Sequence, residues 1–343
     1  MKKKILLTIL ALSMFLVTAC SSKNQEVVNV YNWGEYIDKS LLDKFTKETG
    51  IKVVYDTYDD NEKLYTKMKG SGAQYDILVP SDYMIEKMIK EDMLQKIDTS
   101  KIPNYKNVGE EFKKKDFDPN DEYSVPYFWG TLGIVYNTKQ VSEKIDSWDV
   151  LFDEKYKDEI IMMNSSRDGI GIALLKLGYS INSRNPEELD KARELLTKQH
   201  SIVKAYLLDE TKDMMKHGEA KIAVLYSGDA VDAISENKDL AYVIPKEGSN
   251  LWFDSMVIPK GAKNYENALK FINFMLEPEN AAQNAGIGFS TPVTPAKDLL
   301  PEEVRNDKNS YPDAETIKRL GVFRDPGETV KLYDEIWQKV KGN

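Results

Sequence analysis

The sequence predicts an α/β protein of two lobes, each a mixed sheet flanked by helices, with a ligand cleft between them. Three observations carry this expectation. Strand and helix signals alternate from Val27 onward, a polar stretch at 92–121 interrupts them, and a second alternating set follows. Alternation of this kind builds sheets with helices on their faces. Two such sets in one chain of 343 residues give two lobes. Ligands bind between such lobes, at the C-terminal ends of strands.

The first set opens with a β-rich run at 27–31. Asp38 begins a helical pattern with Leu41, Leu42 and Phe45, stopped by Gly50. Residues 51–58 alternate as a strand and 61–69 read as a helix. The run YDILVP (75–80) is a continuous apolar strand of the kind buried in a parallel sheet. Ser81 is the N-cap expected for a helix reaching Ile89. After the break, 123–137 is a long β-rich run. The second set reads strand 159–163, helices 169–177 and 186–199, strand 202–207, helix 211–216, strand 221–226, helix 229–236 and strand 240–244. A strand at 253–258, an amphipathic helix at 264–276 and a C-terminal helix at 327–340 complete the chain. The β segments near 131–135 and 255–259 are placed to cross between lobes. That divides the chain into 27–131 with 256–300, and 132–255 with 301–343.

Lys2, Lys3 and Lys4 precede an apolar run at 5–17, and Val17-Thr18-Ala19-Cys20 follows. That order is a secretory signal peptide over 1–19, and its apolar run is shorter than the ~20 residues a membrane span needs. Cys20 is the only cysteine, so it has no disulfide partner in the chain. A cysteine directly after small residues resembles the bacterial lipobox. This implies that Cys20 becomes a lipidated N-terminus, that 20–26 is a tether, and that the mature protein is anchored outside the cytoplasm.

Composition narrows the function. A hydrophobic content of 41% is enough for sizeable cores, and the formal net charge is −9. An acidic chain lacks the basic stripes that nucleic-acid recognition needs. His200 and His217 are the only histidines and stand far apart, so no metal-ligand cluster is expected. Neither a Walker A loop nor G-x-S-x-G occurs, and Gly169-Ile170-Gly171 lacks the third glycine of a dinucleotide fingerprint. No cofactor and no catalysis are expected. The competing readings are a surface-anchored hydrolase using cleft carboxylates such as Asp168 and Asp254, and a ligand sensor without transport.

Six segments carry a family resemblance: YNWGEYI (31–37), FTKETGIKVVYDTY (45–58), YDILVPSDY (75–83), FDPNDEYSVPYFWG (117–130), LWFDSMVIPKGAKN (251–264) and YPDAETIK (311–318). Through them the chain resembles the spermidine/putrescine-binding proteins of bacterial ABC transporters, a branch of the two-lobed periplasmic-type binding proteins (type II fold). The resemblance implies lobes joined by hinge strands and an amine held by aromatic rings and carboxylates. It implies a monomer that hands its ligand to a permease.

Residue by residue, Trp33 and Tyr36 match the family's first-loop aromatics and Glu35 its loop carboxylate. Ser81 and Tyr83 match the pair after the strand ending in VP. Asp168 stands at an acidic position, and Trp252 with Asp254 match an aromatic and a carboxylate. Four positions depart from the spermidine-preferring pattern: Ser165 for an aspartate, Tyr226 for a tryptophan, Phe289 for a tyrosine and Arg324 for a glutamine. Asp229, in Tyr226-Ser227-Gly228-Asp229, resembles the aspartate of putrescine-preferring members, so the two ligand types stay open.

These residue types suit a polyamine, a row of ammonium charges separated by methylenes. Each buried charge requires a carboxylate. At ~4 Å and an effective dielectric of ~20 one such contact is worth roughly 4 kcal/mol before desolvation. Rings cover the methylenes and add ~0.5–2 kcal/mol by cation–π attraction. Two positions have alternatives. Asp229 fits a helix N-cap as well as an amine contact. Arg324 either points into the cleft, where it repels a cation, or forms an ion pair between lobes.

Overall fold

The structure is a computed structural model that describes residues 25–70 and 74–342. The expected signal peptide, the lipidated Cys20 and most of the tether lie outside the described residues. Nine strands are described: β1 Val27–Trp33, β2 Lys52–Tyr58, β3 Ile77–Leu78, β4 Ser124–Asn137, β5 Ile160–Met163, β6 Val203–Leu207, β7 Ile222–Tyr226, β8 Leu240–Val243 and β9 Leu251–Val257. The helices are α1 Ser40–Thr49, α2 Asn61–Gly70, α3 Asp82–Lys90, α4 Ser166–Lys176, α5 Pro186–His200, α6 Glu210–Lys216 and α7 Ser227–Glu236. They continue as α8 Tyr265–Met275, α9 Pro278–Ala285, α10 Thr294–Leu299, α11 Glu302–Arg305, α12 Ala314–Lys318 and α13 Val330–Val340. The chain is the mixed α/β protein that the alternation predicts.

The strands run in the order β2-β1-β3-β9-β4-β7-β5-β6, with β8 also on β4. Strand β4 makes the path continuous. Residues 124–131 of β4 lie antiparallel to β9, whereas residues 132–137 leave β9 and pair with β7 and β8. Its neighbours therefore change between Thr131 and Leu132. Parallel pairs β1·β2 and β1·β3 form the first half, and β5·β6 and β5·β7 the second.

Each half has its own packing. In the first, Leu41 and Phe45 of α1 are buried, and Phe45 meets Phe271 and Phe274 of α8 edge to face at 5.2 and 5.3 Å. Gly50 ends α1 in the left-handed conformation at φ 74°, which glycine adopts without a Cβ penalty. In the second half, the indole of fully buried Trp148 donates to Gly248 O at 2.9 Å. The polar stretch 92–121 holds short 3₁₀ turns and the buried Asp118. That carboxylate accepts the N–H groups of Glu122, Tyr123 and Ser124 and so anchors the start of β4.

The chain returns to the first half at Asn250 and Leu251, where Leu132 N–H bonds Asn250 O and Leu251 N–H bonds Gly321 O. Residues 255–257, expected to cross, instead extend β9 along β4 and β3. Alternation in a sequence reports burial and says nothing of where a strand changes neighbours. Past residue 300, Val304, Tyr311, Ile317, Leu320 and Val322 pack on the first half. Tyr333, Ile336, Trp337 and Val340 of α13 pack on α4 and α5 of the second.

Gly130 of β4 lies opposite Trp252 of β9, and a Cβ there would come within 2.5 Å of both the indole ring and Ser227 Oγ. Gly130→Ala is expected to cost about 1–3 kcal/mol through overpacking, measured by denaturant unfolding.

Candidate functional site

The site is assembled from the ends of β1, β3 and β7, the middle of β9 and the first turns of α3, α4 and α7. Asp254, in the middle of β9, is buried; its Oδ2 accepts the Tyr36 hydroxyl at 2.7 Å, and its backbone bridges Ser81. Asp168, in the first turn of α4, is buried as well. Its Oδ2 accepts the Ser165 hydroxyl at 2.6 Å and the Tyr226 hydroxyl at 2.8 Å. In both carboxylates the other oxygen, Oδ1, is buried and has no hydrogen-bond partner.

A row of rings joins the two acids. Tyr226 meets Trp252 at 6.0 Å between centroids, Trp252 meets Phe289 at 6.5 Å, and Phe289 meets Tyr36 at 4.5 Å. Trp252 is fixed by its indole N–H on Thr131 O, 3.3 Å, at the point where β4 changes partners. Trp33 stands one ring away, at the end of β1. Its indole N–H donates to Val79 O at 2.9 Å and its ring leans on Tyr58 at 4.6 Å.

Burial raises the acids, because a charged carboxylate loses water on leaving solvent. Asp254 is pushed up to about 6, with the Ser81 and Tyr36 hydroxyls opposing. Asp168 is raised by burial against its bonds from Ser165 and Tyr226 and against Arg167. Asp229 is pushed up to about 6 by burial, with Lys212 opposing.

The structure brings together Tyr36, Ser81, Ser165, Asp168, Tyr226, Trp252, Asp254 and Phe289, with Trp33 one ring away against Tyr58. Tyr83 stands beside them: its hydroxyl accepts from Asn61 Nδ2 at 3.2 Å and donates to Glu62 Oε1 at 3.0 Å. Ser81 precedes α3 in the expected place, but its side chain does not cap the helix. Its hydroxyl accepts from Asn61 Nδ2 at 3.1 Å instead. Asp229 is not an N-cap. Tyr226 holds that position and Asp229 lies inside the first turn of α7.

Two residues stand apart from the ring row. Glu35, in the left-handed region at φ 49°, is exposed and pairs with Lys212 at 3.1 Å. The Arg324 guanidinium bonds both oxygens of Glu86 at 2.9 Å and reaches Asp116 at 3.2 Å. Of its two alternatives, the ion pair is the one formed. Burial alone would raise Glu86, but Arg324, the Asp325 N–H and Lys90 outweigh it and hold it at about 2.

Sequence reasoning missed Asn61, Glu86, Lys212 and Arg167. The Arg167 guanidinium is buried and lies 4.7 Å from the Phe323 ring, 4.9 Å from Tyr333 and 5.6 Å from Tyr83. Apart from the i,i+4 pair of Glu86 with Lys90, their partners are distant in the chain, so no local pattern marks them.

Residues 40–312 match the family described as bacterial extracellular solute-binding protein. The chain is 42% identical over 335 residues to the spermidine/putrescine-binding periplasmic protein of Escherichia coli, covering 97% of this chain and 95% of that one. It is 37% identical to the putrescine-binding periplasmic protein SpuD of Pseudomonas aeruginosa, with 99% of each chain covered. The crystal structure of the spermidine/putrescine ABC transporter substrate-binding protein PotD of Streptococcus pneumoniae superposes with a TM-score of 0.83. It is 48% identical, over 92% of this chain and 99% of that one.

An unfolded aspartate ionises at about 4. Asp254 at about 6 therefore charges the folded protein with a cost above pH 6 that is relieved as pH falls toward 4. Asp254→Asn is expected to raise the stability of the ligand-free protein by about 2–3 kcal/mol at pH 7.5 and by little at pH 4.5, read by denaturant unfolding.

Proposed function

The chain belongs to the bacterial extracellular solute-binding proteins, in the branch of the spermidine/putrescine-binding proteins of ABC transporters, and on that premise we propose that it binds a polyamine for transport. One observation carries this reading. Two buried carboxylates, Asp168 and Asp254, each keep an oxygen without a partner, and a row of aromatic rings lies between them. A buried carboxylate with an idle oxygen is costly unless a cation completes it. An aliphatic chain with ammonium groups supplies the cations at its charged positions and covers the rings with its methylenes.

The roles follow from the contacts. Asp168 and Asp254 bind ammonium groups, and the Tyr226, Ser165 and Tyr36 hydroxyls orient them. Trp33, Trp252 and Phe289 wall the methylenes, and Ser81 and Tyr83 line the first-half side. The lobes are taken as 27–131 with 251–321, and 132–250 with the remainder. Ligand draws them together, and the closed form docks on the permease. Contacts already run between the halves, at Glu35 with Lys212, Arg324 with Glu86, and Lys90 with Asp325. The protein works outside the cytoplasm as a monomer, anchored through lipid on Cys20. A hydrolase reading gains nothing from relatives named as binding proteins.

Calorimetric titration with putrescine and spermidine tests the reading, and absence of heat or thermal shift with both at millimolar concentration sinks it. Asp254→Ala is expected to weaken binding by about 2–5 kcal/mol, as when one partner of a buried charge pair is removed. A neutral ligand would tolerate that change far better. Below pH 6 a proton takes the place of the ammonium on Asp254. Affinity is therefore expected to fall about tenfold from pH 7.5 to pH 5, with proton release on binding near pH 6.

A further inference from the structure

One ammonium group already stands at the edge of this site, and it belongs to the chain. Lys212 leaves α6 with its side chain mostly covered. Its Nζ lies 3.1 Å from Glu35 Oε2, 3.7 Å from Asp232 Oδ2 and 4.0 Å from Asp229 Oδ1. Glu35 comes from the first half, and Asp229 and Asp232 from α7 of the second, so the ammonium sits between the two.

Chain neighbours relate it to the ring row. Glu35 adjoins Tyr36, whose hydroxyl holds Asp254. Asp229 adjoins Gly228, against which the Phe289 ring is packed so closely that a Cβ would come within 2.4 Å of it. Phe289 in turn meets Tyr36. Lys212 therefore neutralises Glu35 and Asp229, each the chain neighbour of a residue that touches the Tyr36–Phe289 end of the row. The next lysine of the same helix, Lys216, shares Asp232 at 2.8 Å but otherwise pairs with Asp213 and Glu236, and among the described residues it has no ion pair with Glu35 or Asp229.

A lysine side chain ends in a primary ammonium on four methylenes, the same chemistry as the end of a polyamine. The acids around Lys212 suit a ligand amine as they suit Lys212 itself. Asp168 and Asp254 differ from them, because each keeps an idle buried oxygen.

We infer that Lys212 is a specificity-determining residue: its ammonium holds the carboxylates that would receive a further ligand charge, so the site favours a diamine over a triamine. The inference rests on the polyamine reading above. A third ligand charge approaching this end meets a resident cation instead of free acids. Replacing the resident ammonium by a neutral chain of similar length turns repulsion into attraction for that charge and leaves the two buried anchors intact.

The test is calorimetric titration of the unaltered protein, Lys212→Met, Lys212→Arg and Lys216→Met with putrescine and spermidine, with melting temperatures to confirm folding. Lys212→Met is expected to raise the ratio of spermidine to putrescine affinity at least fivefold. Lys212→Arg, which keeps the charge, and Lys216→Met, which removes a neighbouring one, are expected to keep the original ratio. A ratio changed less than fivefold in Lys212→Met overturns the inference, and so does an equal change for both ligands, which would mean that Lys212 only holds the halves together. Failure of the unaltered protein to bind either amine removes the polyamine reading itself, a result distinct from an unchanged ratio.

Discussion

A buried carboxylate that has only half of its hydrogen-bonding capacity satisfied is the constraint on which the rest of this structure depends. Asp168 and Asp254 are both in that condition. Folding keeps them ionisable by giving one oxygen of each to hydroxyl donors and by leaving the other idle. Neutral hydroxyls hold an acid in place without cancelling its charge. A lysine or arginine in their position would have satisfied the acid and ended its capacity to bind a cation.

Other acids at the junction of the halves follow the opposite rule. Glu86 is held by Arg324 and Lys90, and Glu35 by Lys212. These acids are met by cations from within the chain, and several of the pairs run between the two halves of the sheet. An exposed pair contributes little to stability, but the bidentate Arg324–Glu86 pair fixes two planar groups in one geometry. Asp168 and Asp254 thus differ from the ion-paired acids in the kind of donor they receive, and from Asp118, which neutral N–H groups also hold, in keeping a buried oxygen without a partner.

Much of the architecture was legible because burial leaves periodic marks. The apolar run at 75–80, the stop at Gly50 and the helix face of Leu41 and Phe45 all report packing local to their own element. Residues 255–259 misled because β9 is buried on both faces, and such a strand reads alike whether it crosses between halves or stays within one. Asp229 left two readings open. A helix-starting aspartate satisfies the N-cap pattern, yet Tyr226 begins the helix and leaves the aspartate free to face Lys212.

The sequence by itself determined the α/β class and a family resemblance whose segments contain Asp254, Trp33, Tyr36, Tyr83 and Trp252. Those are properties of single segments, written in residue type and spacing. Tertiary structure alone decided which acids keep an idle oxygen, where β4 passes from one half to the other, and that Arg324 turns to Glu86. It also decided that Lys212 stands among Glu35, Asp229 and Asp232. Each depends on residues brought together from distant parts of the chain, and electrostatic energy depends on distance in space, which order along a chain does not record.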